Sequence, residues 1–377
     1  MKTIKDVDIK DKRVILRLDL NVPIKDGKIE DDTRILNSLK TFNYIEKQAK
    51  QIIILSHLGR IKTEEDKKNN SLKIVCDYYS KVINKNISFY DYTNDEVLND
   101  RIVMFENTRF FDLDNEKESK NDSELAKFFA SFGDVFVNDA FGCIHRCNAS
   151  NVGISNYLQS CNGFLVEEEI NNLEKLVNNP EHPFYIIMGG KKVSDKIGII
   201  NNLIDKCDKL FVGGAMTYTF LKAKNIEVGS SFVEEEYIDM AKELLKKYET
   251  KLVLIEDNYI KDKSIKNIDE LNKDDTGLDI GPKTVEKFKQ ELFDSKTIFI
   301  NGPMGLFEDG YDFGTKELLT YINKLNSYVV VGGGDTVNAV NKYVKDNNFI
   351  ISTGGGATLE YLEGKKLPGV ILWKNIE

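Results

Sequence analysis

The chain has 377 residues, of which 41% are hydrophobic, and its 52 Lys+Arg against 61 Asp+Glu give a formal net charge of −9. A single hydrophobic core stops growing near ~250–300 residues, so this length favours two domains. The acidic balance argues against nucleic acid or an anionic membrane surface as the main partner. No apolar run approaches the ~18 residues of a membrane-spanning helix, and residues 1–12 lack the apolar stretch of a signal peptide.

Cysteine usage indicates a reducing compartment. The five cysteines are odd in number and irregular in spacing, which does not suit a disulfide framework, so the cytoplasm is the expected location. Cys143, His145 and Cys147 lie close in sequence but lack the fourth ligand of a structural zinc site. Small buried cysteines are the favoured interpretation there.

Short apolar runs, each followed by a polar or glycine turn, predict the strands. In the first half they are residues 14–18, 52–55, 102–105 and 135–137, and in the second half 184–188, 210–212, 252–255, 297–300, 328–331 and 349–351. Segments with helical periodicity, such as 239–248 and 284–292, lie between them. Continuous β-branched runs that alternate with helices predict an α/β fold, with parallel sheets covered on both faces in each of two domains.

Three charged segments connect these elements. Residues 167–179 combine leading acids with an apolar stripe and are followed by Pro180 and Pro183, so they predict a helix that joins the two domains; a solvated helix within one domain is the alternative. Residues 67–70 and 115–122 are charged and poor in apolar side chains, and we expect solvated loops there.

Arginine is confined to the first half of the chain. All seven arginines precede residue 147, although 52 positions carry Lys or Arg. Arg60, Arg109 and Arg146, together with His57, fall at or soon after predicted strand ends, and Arg34 follows the first strand. Ligands of open parallel sheets bind outside the carboxyl ends of strands, and arginine recognises carboxylate and phosphate in a bidentate manner. The pattern predicts a basic pocket for a small, multiply anionic ligand.

The first strand leads into a second polar group whose role the residues leave open. Alternation places Arg17, Asp19 and Asn21 on one side of the strand and its extension. They could belong to the ligand pocket, or Arg17 and Asp19 could form a buried structural salt bridge.

Glycine dominates the strand ends of the second half. All but six of the 26 glycines follow residue 180, in turns at 189–190, 213–214, 302–305, 332–334 and 354–356. Such turns let N–H groups converge on an anion, Lys192 and Lys196 could address the same phosphate, and Asp335 could hold Mg²⁺. This half therefore predicts a nucleotide site. Neither G-x-x-x-x-G-K-[ST] nor G-x-G-x-x-G after the first strand occurs, which excludes the P-loop class and weakens dinucleotide binding.

Together these motifs closely resemble the phosphoglycerate kinase family over essentially the whole chain. The matching segments are RLDLNVP (17–23), DDTR (31–34), SHLGR (56–60), ENTRF (106–110), NDAFG (138–142) with His145-Arg146, KVSDKIG (192–198), GLDIGPKT (277–284), NGPMGLFE (301–308), GGGDT (332–336) and STGGGA (352–357).

The resemblance implies two Rossmann-like, three-layer α/β/α domains with parallel sheets, joined by a hinge helix at about 167–179. Residues 1–167 with 358–377 would form a 3-phosphoglycerate domain, and 168–357 a nucleotide domain. The implied reaction is reversible in-line phosphoryl transfer from 1,3-bisphosphoglycerate to Mg·ADP after domain closure, giving 3-phosphoglycerate and Mg·ATP. A cytoplasmic monomer without nucleic-acid or membrane partners is implied as well.

The resemblance also assigns residues to the two ligands. The glycerate ligand would be held by Asp19, Asn21, Arg34, His57, Leu58, Gly59, Arg60, Arg109 and Arg146. The nucleotide would be held by Lys192, Lys196, Gly213, Gly214, Leu278, Asn301, Pro303, Glu308, Gly334, Asp335, Thr336 and Val337, with Glu308 on the ribose and Asp335 on Mg²⁺. Arg34 and Lys192 are the cations expected to stabilise charge on the moving phosphoryl group.

The chain departs from the usual family pattern at four places. Lys191 replaces a small residue before Lys192, Asn148 replaces a histidine, Asp275-Thr276 replaces a Trp-Met pair, and Ile61 replaces a proline. Lys191 and Asn148 motivate a second hypothesis, a relative that binds ligands without turnover. A third hypothesis, an NAD-dependent dehydrogenase, depends only on the βα alternation and the glycine turns.

Overall fold

The computed structural model describes residues 1–92 and 99–372. Its strands are β1 Arg13–Arg17, β2 Ile24–Lys25, β3 Lys28–Ile29, β4 Gln51–Leu55, β5 Ser88–Tyr90, β6 Ile102–Phe105, β7 Val135–Asn138, β8 Gln159–Asn162, β9 Phe184–Met188, β10 Lys209–Val212, β11 Leu252–Val253, β12 Asp257–Ile260, β13 Ile265–Asn267, β14 Gly277–Ile280, β15 Thr297–Asn301, β16 Tyr328–Gly332 and β17 Ile350–Ile351. Its helices are α1 Thr33–Glu46, α2 Glu64–Asn69, α3 Lys73–Ile83, α4 Ser123–Ala130, α5 Phe164–Asn178, α6 Ile197–Leu203, α7 Thr217–Ala223, α8 Ile238–Lys247, α9 Pro282–Leu292, α10 Phe313–Ile322, α11 Gly334–Tyr343 and α12 Gly356–Leu362.

Within these described ranges, two six-stranded parallel sheets form the frame of the molecule. The first has the order β5-β6-β4-β1-β7-β8 and the second β11-β10-β9-β15-β16-β17. Successive residues of β1 enter different cores, since Leu16 packs in one buried cluster and Ile15 in another. Both sheet faces are therefore covered, as continuous apolar strands require. The predicted α/β class with parallel sheets is confirmed.

Two smaller sheets add antiparallel pairs. β12 pairs with β13 and β14 in a three-stranded sheet, and β2 pairs with β3. The predicted strands all lie within or overlap observed ones, whereas the edge strands β5 and β8 have no counterpart in the sequence prediction. Ser88–Tyr90 and Gln159–Asn162 are short and partly polar, so they lack the apolar run that marks a buried strand.

The chain divides into two compact units. One contains residues 1–171 and 366–377, and the other contains residues 172–365. The division falls within α5, close to the predicted joining helix at 167–179. The expected return to the first domain from residue 358 starts later, because α12 packs on α6 and Asn202 Nδ2 donates to the Leu362 carbonyl at 2.8 Å.

The segment that does return is fixed in the first unit by two asparagines. Asn138 Nδ2 donates to the Gly369 carbonyl at 3.0 Å. Asn162 Nδ2 donates to the Lys2 and Ile371 carbonyls at 2.7 and 2.8 Å, and its Oδ1 accepts from the Ile371 N–H at 3.0 Å. Both ends of the described chain are thus held at the β8 edge of the first sheet.

The two segments expected to be solvated loops are more ordered than their composition suggests. Residues 67–69 belong to α2, whose N-terminus is closed by reciprocal hydrogen bonds between Thr63 and Asp66. In 115–122, Glu118 is only 1% exposed and accepts hydrogen bonds from the Ser150 N–H and hydroxyl. A partner 32 residues away in the sequence explains why composition alone failed there. No helix in the described part of the chain is long and apolar enough to cross a membrane.

Candidate functional site

In the first unit, polar loops follow β1, β4, β6 and β7 at the carboxyl edge of the sheet. Arg34, in the first turn of α1, lies against the loop after β1: its Nη1 is 2.8 and 2.9 Å from the two carboxylate oxygens of Asp19 and 3.2 Å from the Asn21 carbonyl. Asp19 is buried, and the Arg34 side chain keeps 35% of its surface exposed. The guanidinium is thus oriented by Asp19 while part of it faces solvent.

The loop after β4 is tied to its neighbours on both sides. Asn21 Oδ1 accepts from the Gly59 N–H at 2.9 Å, and Arg109 Nη1 donates to the Gly59 carbonyl. Gly59 has φ +59°, a conformation that side chains disfavour, and a Cβ there would lie 2.3 Å from Asn70 Oδ1. We call this group, Asp19, Asn21, Arg34, His57, Gly59 and Arg109, the arginine edge.

His57 is buried among the positively charged arginines of this edge. It is 6% exposed, and its Nδ1 is 3.4 Å from Arg17 Nη2. Burial, followed by the positive charges of Arg17, Arg109, Arg146 and Arg34, holds the pKa of His57 well below its ordinary value of 6.5. The imidazole is therefore neutral at physiological pH and can serve as a hydrogen-bonding group.

Arg17 does not form the salt bridge with Asp19 that was one sequence interpretation. Its Nε donates to Ser150 Oγ at 3.0 Å, and its Nη1 donates to the Leu18 carbonyl. Asp19 pairs with Arg34 instead. Arg17 is thus a buried residue, 1% exposed, whose guanidinium group lies next to the His57 ring.

Arg60 and Arg146 are exposed at the same loops. Arg146 Nε lies 3.3 Å from His145 Nε2, and after burial its charge is the largest cause that lowers the pKa of Arg109. Arg60 directly follows Gly59. Leu58 is buried, and its carbonyl accepts from Asn107 Nδ2 at 2.7 Å.

Glu106 and Asn107 fix the loops after β4 and β6 by hydrogen bonds and were not identified from the sequence. Asn107 also donates to the Asn70 carbonyl at 2.9 Å, and Glu106 accepts from the Leu72 and Asn107 N–H groups, both at 2.7 Å. Both side chains are at most 5% exposed. Their position directly after β6, with polar character at a buried strand end, was the available signal.

In the second unit, the glycine turns that follow β9, β10 and β15 are hydrogen-bonded to one another. The Gly190 N–H donates to the Pro303 carbonyl at 2.8 Å, and the Gly214 N–H donates to the Met304 carbonyl at 3.0 Å. Gly214 has φ +63°, and a Cβ there would lie 2.4 Å from the Gly190 nitrogen, so only glycine fits. Gly213, directly before it, donates its N–H to the Met188 carbonyl at 2.8 Å.

Asn301 and Thr336 connect these turns to α11. Asn301 Nδ2 donates to the Gly332 carbonyl at 2.8 Å, and the Gly302 N–H donates to Thr336 Oγ1 at 2.7 Å. Lys196 Nζ donates to Asn301 Oδ1. Burial lowers the pKa of Lys196, while Asp195 and Asp335 act in the opposite direction. We call Lys196, Gly190, Gly214, Asn301, Gly302, Asp335 and Thr336 the glycine edge.

The other predicted nucleotide residues lie around this edge in different environments. Lys192 and Glu308 are exposed, and the Leu278 carbonyl accepts from the Leu306 N–H at 2.8 Å. Val337 is partly buried, and its side chain packs on the core of the second unit. Only its backbone could form a hydrogen bond with a ligand. Gly334 begins α11 and is exposed.

Asp335 is suited to Mg²⁺ in chemistry and placement. It is exposed in the first turn of α11, and a Cβ built on the preceding Gly334 would meet no atom of the described residues within 4 Å. Mg²⁺ prefers oxygen ligands and is commonly held by one carboxylate together with substrate phosphates. The residues present therefore fit a nucleotide-bound Mg²⁺.

Two departures from the family pattern have structural roles. Asn148 is 5% exposed, and its Nδ2 donates to the Glu118 carbonyl at 3.4 Å. Asp275 pairs with Lys266 at 2.6 Å and accepts from the Asn272 N–H at 2.7 Å. The Asn148 side chain therefore contacts the buried Glu118 segment, and the Asp275 side chain closes the loop that begins at Asn272.

Two parallel α/β units with anion-suited loops at the carboxyl edges of their sheets are typical of α/β enzymes that act on phosphorylated small molecules. A sequence profile described as phosphoglycerate kinase matches residues 4–365. The phosphoglycerate kinases of Macrococcus caseolyticus and Enterococcus faecalis are each 48% identical to the chain, with 98% of both chains covered.

Solved structures agree with the sequence comparisons. Phosphoglycerate kinase from Coxiella burnetii superposes with a TM-score of 0.89 at 37% identity, covering 98% of this chain and 97% of that one. The enzyme from Pyrococcus horikoshii gives 0.82 at 28% identity with the same coverage. The chain belongs to the phosphoglycerate kinase family.

The chain is accordingly a glycolytic phosphotransferase that moves a phosphoryl group from 1,3-bisphosphoglycerate to ADP. The predicted family, reaction and enzyme class are confirmed, and the dehydrogenase hypothesis is wrong.

Proposed function

We propose that the arginine edge binds 3-phosphoglycerate and 1,3-bisphosphoglycerate, and that the glycine edge binds ADP and ATP. The observation that carries this assignment is the concentration of guanidinium charge around a buried, neutral His57. Asp19 offsets only the charge of Arg34, and an excess of positive charge at a sheet edge attracts a small polyanion even in a chain of net charge −9. Arg60 and Arg146, exposed at the same loops, are included in this binding set.

In the proposed reaction, Arg34 and Lys192 stabilise negative charge on the transferring phosphoryl group. Phosphoryl transfer depends on alignment and charge neutralisation more than on a covalent intermediate. Arg34 is oriented by its contact with Asp19, and Lys192 presents a flexible ammonium group beside the glycine edge. Lys196, held by Asn301, keeps a second positive charge near the nucleotide phosphates.

The remaining nucleotide assignments follow from position. Glu308 would bind the ribose, and Leu278, Gly213, Gly214 and Pro303 would line the adenosine site. The N-terminus of α11, with Gly334, Asp335, Thr336 and Val337, would face the phosphates, where backbone N–H groups favour anions. Asp335 would hold Mg²⁺, which neutralises phosphate charge when it is bound.

Because the two ligand sets belong to different units, transfer requires the units to bring donor and acceptor into line. We propose that closure of the 3-phosphoglycerate unit (residues 1–171 and 366–377) onto the nucleotide unit (residues 172–365), about α5, does this and excludes water from the acyl phosphate. We also propose a cytoplasmic monomer without nucleic-acid or membrane partners; the free cysteines and the acidic charge support this proposal. Light scattering on the purified protein tests the monomer.

Replacement of the two proposed catalytic cations tests the assignment. We expect Arg34→Ala and Lys192→Ala each to lower kcat by ~10²–10³-fold, the effect typical of losing a charge-stabilising group. The measurement is a coupled assay with ATP, Mg²⁺ and 3-phosphoglycerate.

Matched controls come from solvent-accessible cations outside both edges. Arg13→Ala, which removes a surface pair with Asp134, and Lys224→Ala should leave kcat within about twofold of the unsubstituted enzyme. Wild-type kcat in both Arg34→Ala and Lys192→Ala would refute their proposed role.

A further inference from the structure

The loop between β9 and α6 carries Lys192, and a carboxylate distant in the sequence accepts hydrogen bonds from its backbone. Glu234 Oε2 accepts from the Val193 N–H at 2.5 Å and from the Ser194 N–H at 3.2 Å. Its Oε1 accepts from Ser194 Oγ at 2.6 Å. One side chain therefore binds the backbone of both residues that follow Lys192.

Glu234 is itself firmly placed. It is 6% exposed, and its N–H donates to Thr219 Oγ1 on α7 at 3.1 Å. Thr219 and Val193 are both 0% exposed. Since a buried carboxylate is costly unless its oxygens are hydrogen-bonded, the three bonds to the loop are what make this position tolerable. The contact therefore couples the loop to the core of the second unit.

The residue before Lys192 is held by the same segment. Lys191 Nζ lies 4.8 Å from the ring centre of Phe232, two positions before Glu234. This is the lysine that departs from the family pattern. Its ammonium group contacts an aromatic ring on the segment that also binds Val193 and Ser194, so a side-chain contact before Lys192 adds to the backbone contacts after it.

We propose that Glu234 is a positioning residue for phosphoryl transfer, which fixes the loop backbone so that the Lys192 ammonium group reaches the transferring phosphoryl, with Phe232 and Lys191 completing the clamp. This inference rests on the proposed role of Lys192. A lysine side chain has four rotatable bonds, so a fixed backbone is the main way to limit where its charge goes. A displacement of ~1 Å at a catalytic group can cost ~10²-fold in rate.

The first test is Glu234→Gln, which preserves size but replaces one accepting oxygen with an NH₂ group that cannot accept. We expect kcat to fall by ~10–100-fold while KM for ADP changes less than about threefold, because the substitution displaces a transition-state contact rather than the nucleotide site. Glu234→Asp, which keeps the charge but shortens the side chain, should retain more activity than Glu234→Gln. Asp208→Asn is the control for removing a carboxylate that accepts a backbone N–H outside the glycine edge, since the exposed Asp208 accepts from the Phe184 N–H at 2.6 Å at the amino end of β9. It should leave kcat unchanged.

A double-mutant cycle separates positioning from general stabilisation. In a Lys192→Ala background, Glu234→Gln should lower kcat by less than about threefold, since its effect acts through Lys192. An equal loss in both backgrounds, or an unchanged kcat in the single variant, would overturn the inference. If Lys192→Ala itself keeps wild-type kcat, the proposed catalytic role fails instead, so the two failures are distinguishable.

Two milder variants keep the inference testable if Glu234→Gln does not fold. Ser194→Ala removes only the hydroxyl contact, and Phe232→Leu removes the aromatic partner of Lys191. We expect each to lower kcat by ~3–10-fold and to lose this effect in the Lys192→Ala background. Wild-type kcat in both variants would contradict the clamp.

Discussion

At the residue scale, the arginine edge shows how a buried histidine can be kept neutral. His57 lies beside Arg17 and within the field of three further guanidinium groups. Protonation would add a positive charge to a site that already has an excess, and it would do so away from water. A bound polyanion would offset part of that field.

We expect the imidazole of His57 to remain neutral from pH 8 to pH 6, and its pKa to rise when 3-phosphoglycerate binds. Histidine NMR with and without the ligand is the measurement, with His57→Gln used to assign the signal. Titration near 6.5 in the free protein would contradict the expectation.

The same shift links His57 to stability. Below pH 6.5 the unfolded chain binds a proton at His57 that the folded chain does not bind. The contribution of His57 to the free energy of unfolding is therefore complete above pH 6.5 and is lost as the pH falls below that value.

At the scale of elements, α5 begins on a buried carboxylate. Asp139 Oδ1 accepts from the Leu165 and Val166 N–H groups at 2.9 and 3.2 Å, in the first turn of the helix. A Cβ at Gly163 would lie 2.3 Å from that oxygen, so glycine permits the close approach. Burial raises the pKa of Asp139 to about 7. The carboxyl group that accepts these first-turn N–H groups of α5 therefore has a pKa near neutrality.

Because the folded pKa of Asp139 is raised, the folded state holds a proton that the unfolded state has released between about pH 4 and 7. Its contribution to stability is present at low pH and is lost as the pH rises towards 7. In the unsubstituted protein the free energy of unfolding should therefore decrease between pH 5.5 and 8. We expect this decrease to be smaller by ~1–2 kcal/mol in Asp139→Asn, measured by urea denaturation at both pH values.

Asp134→Asn is the control for this prediction. The pair with Arg13 lowers the pKa of Asp134, so that carboxyl stays ionised throughout the same pH window and its replacement should leave the slope unchanged. An identical pH slope in Asp139→Asn and the unsubstituted protein would contradict the role of Asp139.

At the scale of the whole molecule, the two proposed ligand sets consist of residues from different compact units of one chain. We expect the radius of gyration from small-angle scattering to decrease when 3-phosphoglycerate and Mg·ADP are both saturating, and to decrease less with either ligand alone. The reason is that each ligand contributes part of the contacts that favour closure. An unchanged radius with both ligands would contradict the closure mechanism.

Much of the frame and of the candidate site could be predicted from local sequence. Runs such as those in β1, β4 and β9 are continuously apolar because both faces of the sheet are covered, and a pattern of that kind is local. The polar residues after these strands fall at one edge by the geometry of parallel sheets alone. This is why His57, Arg109 and Arg146 could be predicted to lie in the same region before their contacts were known.

What could not be predicted depends on partners that are distant in the chain. Arg17 donates to Ser150 and not to Asp19, although Asp19 is only two residues away in the sequence. Glu118 is buried, although it lies in a segment whose composition is typical of a solvated loop. Glu234 is 40 or more residues from the N–H groups that it binds. A side chain's choice among possible partners depends on which of them the fold brings within about 3 Å, and no local pattern contains that distance.

The sequence by itself therefore determined the α/β class and the residues that stand at the strand ends, because these depend on residue type and spacing along the chain. Its motifs also resemble those of a known family, and that resemblance implied the reaction. Only the tertiary structure decided which carboxylate orients Arg34, what keeps His57 neutral and what holds the loop of Lys192. Hydrogen bonds and electrostatic fields depend on distances in space, and those distances exist only after the strands have paired.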